Sequence, residues 1–316
     1  MRVLILIALL ASCTPTGPDS QWSTPAWPDV SEQDSGEKAV ETCISTPDED
    51  GWQSEKAGPL TGFFAVEAII EAKVVAFTIE TRQYLLLRLK QEGSTVRQKV
   101  TVCDLRLPSF EGLVDLRIPP AAQALIQSKA AVVEGDFLES EKVGAKYTTG
   151  PQMVLVGAQV NGDPATDPLP TAESPACPAE GQTCTIDEDC DGLPGVTMDA
   201  DVLLCEEGTE QLHIALRTIV DLNGVVGEGF NSIEGTVSPV LQWSVLGASH
   251  ECLDIASSIA LEVIDDTPFK AVRVDGRNNS ALNLDTNQDG IVECADVRAA
   301  LENELADWKT PMATDE

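Results

Sequence analysis

The stretch "YLLLRLKQEGSTVRQKVTV" at residues 84–102 contains two runs in which apolar and polar side chains alternate. A period of two places successive side chains on opposite faces of a strand. The stretch therefore predicts half-buried antiparallel strands. In the first run Leu85, Leu87 and Leu89 share one face, and Arg88 and Lys90 lie on the other. In the second run Val96, Val100 and Val102 share one face, and Arg97, Lys99 and Thr101 lie on the other.

The same strand-like pattern recurs on both sides of a loop-rich middle segment. A single short helix is predicted by "PPAAQALIQS" at residues 119–128, because proline is tolerated at the start of a helix. These elements predict a mainly β protein, an antiparallel barrel or sandwich in one or two β-rich halves. The further strand candidates are residues 62–70, 151–160, 212–220, 241–247, 259–264 and 269–274.

The first thirteen residues, "MRVLILIALLASC", have the composition of a secretory signal peptide, which we assign to residues 1–12. The phrase "LASC" resembles a bacterial lipobox, which implies that Cys13 is lipidated and holds the chain on a membrane. The neighbouring Thr14, in place of Asp, favours the outer membrane by analogy with lipoprotein sorting. Residues 13–57 are rich in Pro, Ser, Asp and Glu and are expected to form a flexible acidic tether.

The remaining chain divides into four segments by composition and pattern. Residues 58–160 form a first β-rich half and residues 195–276 a second. Between them, residues 161–194 form a linker with an Asp-rich turn. Residues 277–316 are predicted to form an EF-hand-like loop and a terminal helix.

Three phrases in this body resemble those of a known group of proteins. They are "GAQVNGDPATDPLP" at residues 157–170, "DEDCDGLPGVT" at residues 187–197 and "VLGAS" at residues 245–249. As a set they resemble a family of uncharacterised predicted lipoproteins from myxobacteria and their relatives, over roughly residues 60–276. The resemblance implies two β-rich halves separated by an Asp-rich turn, and it implies no particular activity.

The charge and the cysteines exclude some classes of function. With 20 Lys plus Arg against 52 Asp plus Glu, the net charge of −32 argues against binding nucleic acid, whose phosphates require cations. An even number of cysteines in an exported chain predicts disulfides. The sequence contains no CxxC pair, so it does not indicate a zinc ribbon or a thioredoxin-like redox site. Eight cysteines remain beyond Cys13. Proximity along the chain predicts that Cys43 pairs with Cys103, Cys177 with Cys184, Cys190 with Cys205, and Cys252 with Cys294.

The phrase "DTNQDGIVECAD" at residues 285–296 has the ligand spacing of an EF-hand calcium loop, with Gly290 at the sharp turn. An aspartate in place of the usual final glutamate resembles dockerin-type loops. No amphipathic helix precedes the loop, so we expect a structural calcium clip rather than a sensor. The predicted ligands are Asp285, Asn287, Asp289, Ile291, Glu293 and Asp296, and the following helix should carry an apolar stripe of Val297, Leu301, Leu305 and Trp308.

A second acidic stretch at residues 187–199 matches the first half of the same pattern. The twelfth position is Met198, which cannot supply the oxygen, so a shifted acid would have to replace it. The alternative is an ordinary Gly/Pro turn leading into a strand. The possible ligands of this second metal site are Asp187, Asp189, Asp191, Leu193 and Asp199.

Catalytic side chains are scarce. The chain has two histidines, His213 and His250, both expected at the surface, and it lacks the common hydrolase and P-loop patterns. The sequence therefore predicts a non-enzymatic calcium-binding lipoprotein of the cell envelope, whose β body is structural or binds a small ligand. The alternatives are an envelope protein–protein interaction module using the dockerin-like loop and helix and, third, a carboxylate-based glycan hydrolase.

Overall fold

The computed structural model describes residues 58–74, 77–107, 109–110, 114–202, 205, 209–253, 262–287 and 289–302. The predicted signal peptide, the predicted lipidation site Cys13, the predicted tether and Cys43 lie outside the described residues. No helix of the described part is long and apolar enough to cross a membrane.

Among the described residues, nine strands and one helix precede the linker at residues 161–194, in keeping with the alternating pattern of this half. The predicted helix at residues 119–128 is confirmed as α1 (Pro120–Ser128). The strands are β1 (Gly62–Val74), β2 (Phe77–Glu92), β3 (Thr95–Arg106), β4 (Ser109–Phe110), β5 (Val114–Arg117), β6 (Ala131–Gly135), β7 (Lys146–Thr148), β8 (Gln152–Val156) and β9 (Ala158–Gln159).

Six further strands and a second helix make up the rest of the described chain. Helix α2 spans Cys294–Glu302, and short 3-10 turns lie at Glu228–Phe230 and Arg277–Asn279. The strands are β10 (Cys184–Thr185), β11 (Val196–Val202), β12 (Glu210–Val226), β13 (Ser232–Ala248), β14 (Glu262–Val263) and β15 (Thr267–Arg273).

Strands from both halves join one antiparallel sheet, in the order β4-β5-β11-β12-β13-β15-β1-β2-β3-β6. Strand β14 pairs with β1, strands β7 and β8 pair with β12, and β9 and β10 form a small separate sheet. The large sheet curls into a half-barrel, which confirms the mainly β, antiparallel fold. The two halves are joined because β15 pairs directly with β1, from Ala68 opposite Phe269 to Phe64 opposite Arg273.

The inner face of the sheet carries the largest apolar cluster, and the stretch at residues 84–102 supplies part of it. Leu87, Leu89 and Val96 are at most 1% exposed, and they pack with Phe64 and Phe269 from β1 and β15. Full burial of a leucine or phenylalanine side chain contributes roughly 1.5–3 kcal/mol. The period-two pattern of β2 therefore fixes which face of this strand points inward.

The outer face of the sheet is covered by the C-terminal segment. Val297 and Leu301 of α2 pack against Phe63 and Leu86, whose strands β1 and β2 are neighbours. This confirms the first two positions of the predicted apolar stripe, whereas Leu305 and Trp308 lie outside the described residues. The helix following the acidic loop is thus a cover for the sheet.

The disulfide pairing differs from the prediction in all but one bond. Cys177 pairs with Cys184 as expected. The pairings Cys43–Cys103, Cys190–Cys205 and Cys252–Cys294 are wrong, because proximity along the chain is not proximity in the sheet. The observed bonds are Cys103–Cys294, which links β3 to α2, and Cys205–Cys252; Cys190 is also disulfide-bonded.

A fully buried arginine holds the first described residues against the end of β15. The guanidinium of Arg273 contacts the Phe64 ring, 4.6 Å from its centroid, and pairs with Asp275 at 3.4 Å. Burial lowers the pKa of Arg273, and Asp275 opposes that effect. The remaining donors are satisfied by the backbone carbonyls of Pro59, Thr61 and Phe230.

Candidate metal centres

The acidic stretch between β10 and β11 brings three carboxylates together. Asp187, Asp189 and Asp191 each place a carboxylate oxygen within 4.8 Å of the others. Asp189 is buried, Asp187 is half-buried and Asp191 is exposed. Three like charges at this spacing repel one another unless a cation lies among them. The loop is therefore a candidate cation site.

Backbone hydrogen bonds hold this loop open around the carboxylates. Asp187 accepts hydrogen bonds from the N–H groups of Asp191 and Gly192, at 3.2 and 3.0 Å. Asp191 in turn accepts from the N–H of Leu193 at 2.8 Å. Gly192 has a φ of 86°, a left-handed conformation that favours glycine. The chain thus turns sharply at the sixth position, as the calcium-loop pattern requires.

Close backbone packing seats the loop on the sheet. A Cβ on Gly195 would lie 2.4 Å from the carbonyl oxygen of Ile214 in β12, and one on Gly157 would lie 2.8 Å from Cα of Gly195. Both glycines have positive φ, so no other residue fits here. Glu188 adds a hydrogen bond from the N–H of Gly157 at 2.6 Å and an ion pair with Lys129.

Asp189 is the carboxylate that the loop satisfies least. Its side chain is 8% exposed, and Oδ2 accepts a hydrogen bond from the N–H of Thr197 at 2.8 Å. Its Oδ1 is buried and has no hydrogen-bond partner within the described part of the chain. Burial, with the charges of Asp191 and Asp187, raises the pKa of Asp189 to about 6. A buried acceptor without a donor is unfavourable, and a bound cation would satisfy it.

A chain of hydrogen bonds links this loop to a buried histidine. The hydroxyl of Thr197 donates to Asp191, so its oxygen is left to accept from the Nδ1–H of His213 at 3.0 Å. Burial lowers the pKa of His213, and the charge of Asp191 opposes this. The prediction of a surface histidine was wrong, since His213 is 5% exposed. The register shift between His213 and Ile214 in β12 interrupts the simple alternation on which that prediction relied.

The C-terminal loop repeats the same backbone framework. Asp285 accepts from the N–H groups of Asp289 and Gly290, at 3.1 and 2.9 Å, and Asp289 accepts from the N–H of Ile291 at 2.8 Å. Gly290 has a φ of 83°. Positions one, five, six and seven of the two loops therefore make matching bonds.

The two loops differ in how far their ligands converge. In the C-terminal loop, Asp289 and Glu293 are exposed, and Asp296 uses Oδ2 to accept from the N–H of Glu293 at 2.9 Å. Asn287 donates its amide to Asp289 at 2.8 Å. Among the described residues, only the loop at Asp187 gathers three carboxylates. The more complete pattern in sequence is thus the less convergent one in space.

Some residues near these loops are not part of a metal cluster. Asp199 lies in β11 and does not belong to the group formed by Asp187, Asp189 and Asp191. Cys205, His250 and Cys252 also lie close together, but the two sulfurs are joined in a disulfide. The Nδ1 of His250 accepts a hydrogen bond from the N–H of Cys252 at 3.1 Å. This second group is therefore held by covalent and backbone bonds.

The donor set of the Asp187 loop fits calcium better than zinc or magnesium. Calcium binds six to eight oxygens with flexible geometry, whereas zinc prefers nitrogen and sulfur, and magnesium requires a near-ideal octahedron. The loop presents three carboxylates. The imidazole of His213 is hydrogen-bonded to Thr197.

Sequence reasoning missed Thr197 and His213 as neighbours of the acidic loop. The spacing of the acids points to metal ligands, but no local signal marks a histidine sixteen residues away on another strand. No family model, no curated protein and no solved structure matches the chain.

Proposed function

We propose that this chain is a non-enzymatic calcium-binding lipoprotein of the bacterial cell envelope. The two acidic loops are the proposed calcium sites. The observation that carries the proposal is the buried Oδ1 of Asp189, which lacks a donor among the described residues and lies among two further carboxylates. Calcium at this point would neutralise the cluster and stabilise the turn into β11. The proposed role of the metal is structural.

The C-terminal loop supports a fastening role rather than a docking role. Its helix buries Val297 and Leu301 on the sheet, and the disulfide from Cys294 to Cys103 ties the same helix to β3. A helix that opened to bind a partner would have to expose this apolar face, which is unfavourable. We therefore place interaction through the loop and helix second.

Calorimetric titration of the calcium-stripped protein tests this proposal. We expect at least one binding event for the wild type, loss of one event in Asp187→Asn with Asp191→Asn, and loss of any other in Asp285→Asn with Asp289→Asn. A matched variant that removes two exposed acids elsewhere, Glu139→Gln with Glu141→Gln, should titrate like the wild type. A wild type that takes up no calcium, or loop variants that titrate unchanged, would refute the assignment.

The envelope location and the absence of catalysis need separate measurements. Replacing Cys13 with Ala should release the protein from the membrane fraction, since lipidation at this residue is the proposed anchor. Hydrolysis of any member of a glycan panel by the purified protein would contradict the non-enzymatic assignment. If calcium is structural, it should raise the melting temperature of the protein without changing how much of the protein binds to envelope extracts. A docking module would instead capture a component of the extract only when calcium is present.

A further inference from the structure

Cys190 occupies the fourth position of the acidic loop, between Asp189 and Asp191, and its sulfur is in a disulfide. The chain has nine cysteines, and six of them form the bonds Cys103–Cys294, Cys177–Cys184 and Cys205–Cys252. With Cys190 itself set aside, the two that remain are Cys13 and Cys43. The sulfur of Cys13 is the proposed point of lipid attachment, which leaves Cys43 as the partner of Cys190.

The backbone at Cys190 has a conformation that a cysteine rarely adopts. Its φ is 57°, in the left-handed region where a side chain is unfavourable. This residue sets the direction of the chain between Asp189, which is buried, and Asp191, which is exposed. A disulfide at this position holds the turn, and it brings a second segment of the chain close to the carboxylates.

The cluster of Asp187, Asp189 and Asp191 supplies only part of a calcium coordination shell. Calcium binds six to eight oxygens, and the acid at the twelfth position of such a loop normally supplies two of them. Here the twelfth residue is Met198, and Asp199 does not belong to the cluster. Oδ1 of Asp189 is buried and has no hydrogen-bond partner within the described ranges. A carboxylate from outside the loop would therefore complete the coordination.

The segment around Cys43 carries a carboxylate within reach of this cluster. In the observed disulfides the Cα atoms lie 4.9 to 5.4 Å apart, so the Cα of Cys43 would lie about that far from the Cα of Cys190. Glu41 is the nearest acid to Cys43 in the sequence, two residues before it. Two residues of extended chain span at most about 7 Å. A glutamate side chain bridges much of that distance, and glutamate is the usual twelfth ligand of a calcium loop.

We infer that Cys43 is bonded to Cys190, and that Glu41 is thereby a ligand of the calcium ion at the Asp187 loop. The inference rests on the proposed calcium site, and it adds the ligand that the loop itself lacks. It also makes this loop the point at which the N-terminal segment is fastened to the β sheet. Without the disulfide, Glu41 is no longer held beside the cluster, and calcium binding at this loop weakens.

Peptide mapping of the purified full-length protein under non-reducing conditions tests the disulfide. We expect a cross-linked pair of peptides that contain Cys43 and Cys190, and this pair should separate on reduction. The mapping does not involve calcium, so its outcome is independent of the proposed function. A free thiol at Cys190, or a bond from Cys190 to Cys13 or to a second copy of the chain, overturns the inference.

Calorimetric titration with calcium tests the ligand. The variant Asp285→Asn with Asp289→Asn serves as the background, so that the measured binding is that of the Asp187 loop. In this background Glu41→Gln keeps the disulfide and should weaken calcium binding roughly tenfold, because a charged ligand is lost. The matched variant Glu32→Gln removes an acid eleven residues from Cys43, and it should bind calcium like the background.

Removal of the disulfide is a second test that leaves Glu41 in place. Cys43→Ser with Cys190→Ser should weaken calcium binding at least as much as Glu41→Gln, since the carboxylate is no longer held at a high local concentration. Cys205→Ser with Cys252→Ser removes a different disulfide and should bind calcium like the background.

The outcomes separate this inference from the proposed function. A background variant that binds no calcium refutes the proposed site at the Asp187 loop, and the role of Glu41 with it. If the background binds calcium and Glu41→Gln binds it equally tightly, the inference alone is overturned, whatever the cysteine variants show.

Discussion

Replacing Asp189 by asparagine should affect the calcium-free and the calcium-loaded protein in opposite ways. The substitution keeps the shape of the side chain, and its carbonyl oxygen can still accept from the N–H of Thr197. It removes a buried negative charge that lies beside Asp187 and Asp191. Without calcium we expect that charge to destabilise the fold, whereas in the proposed calcium site it would be a ligand.

The size of the effect follows from the shifted ionisation of this carboxyl. Its pKa rises from 3.8 in the unfolded chain to about 6 in the folded protein. A pKa difference of this size corresponds to about 3 kcal/mol in the free energy of unfolding at neutral pH. Because the neighbouring carboxylates are partly exposed to water, we reduce this to roughly 1–2 kcal/mol. For a protein of this size we expect the Asp189→Asn substitution to raise the melting temperature in chelator by a few degrees at neutral pH.

The pH dependence has a definite sign. Since the pKa of Asp189 is raised on folding, the folded protein retains a proton between pH 3.8 and about 6 that the unfolded chain releases. The unfolding free energy of the calcium-free wild type should therefore fall as pH rises through this window, and Asp189→Asn should lack that component. Calcium binding requires the ionised carboxylate, so it should weaken as pH falls through the same range.

Melting curves of the two proteins, in chelator and in excess calcium, measure these differences. At calcium a hundredfold above its dissociation constant, one site adds about 2.7 kcal/mol to the wild type, and the variant should gain less. The exposed Glu141→Gln serves as a charge-matched control and should behave like the wild type in both conditions. If Asp189→Asn melts no higher than the wild type in chelator and gains as much from calcium, the site assignment fails.

Three further changes probe the fold and the second loop. Joint replacement of Cys103 and Cys294 by Ala should lower the free energy of unfolding by about 2–5 kcal/mol in a guanidinium titration, because the disulfide closes a long loop. An unchanged free energy of unfolding would show that this disulfide contributes little to stability. Arg273→Lys should destabilise by about 3–5 kcal/mol in the same titration, whereas Arg277→Lys, with its side chain 54% exposed, should be near neutral. A Cβ at Gly290 would meet no atom within 4 Å, so Gly290→Ala should lower the free energy of unfolding by roughly 1 kcal/mol through the positive φ alone. Calorimetry should also show weaker calcium binding at that loop. A variant with the stability and calcium affinity of the wild type would contradict this.

Short-range patterns predicted several of the elements, although β6 and β11 have no counterpart among the predicted strands. The alternation at residues 84–102 predicted β2 and β3 and the face that each turns inward, because side-chain direction in a strand depends only on position along it. Likewise, the prolines at the start of α1 and the acid spacing around Gly192 and Gly290 are local features. They correctly anticipated a helix and two sharp acidic turns.

Even local patterns failed where the backbone left its regular period. The predicted strand at residues 151–160 is divided at Gly157, whose positive φ lets the backbone approach Gly195. His213 is buried beside a register shift although the alternation placed it on a polar face. A bulge or a left-handed glycine changes which side a residue faces, and its neighbours in sequence do not reveal this.

The amino-acid sequence by itself determined the strand content, the two acidic turns and the cysteines available for disulfides. Only the tertiary structure decided that β15 pairs with β1, that Cys103 bonds to Cys294, and that Thr197 links the acidic loop to His213. These features depend on which distant segments meet, and that choice is made by the packing of the whole sheet. Local chemistry therefore fixes what each segment can become, whereas the summed burial of apolar faces fixes where it lies.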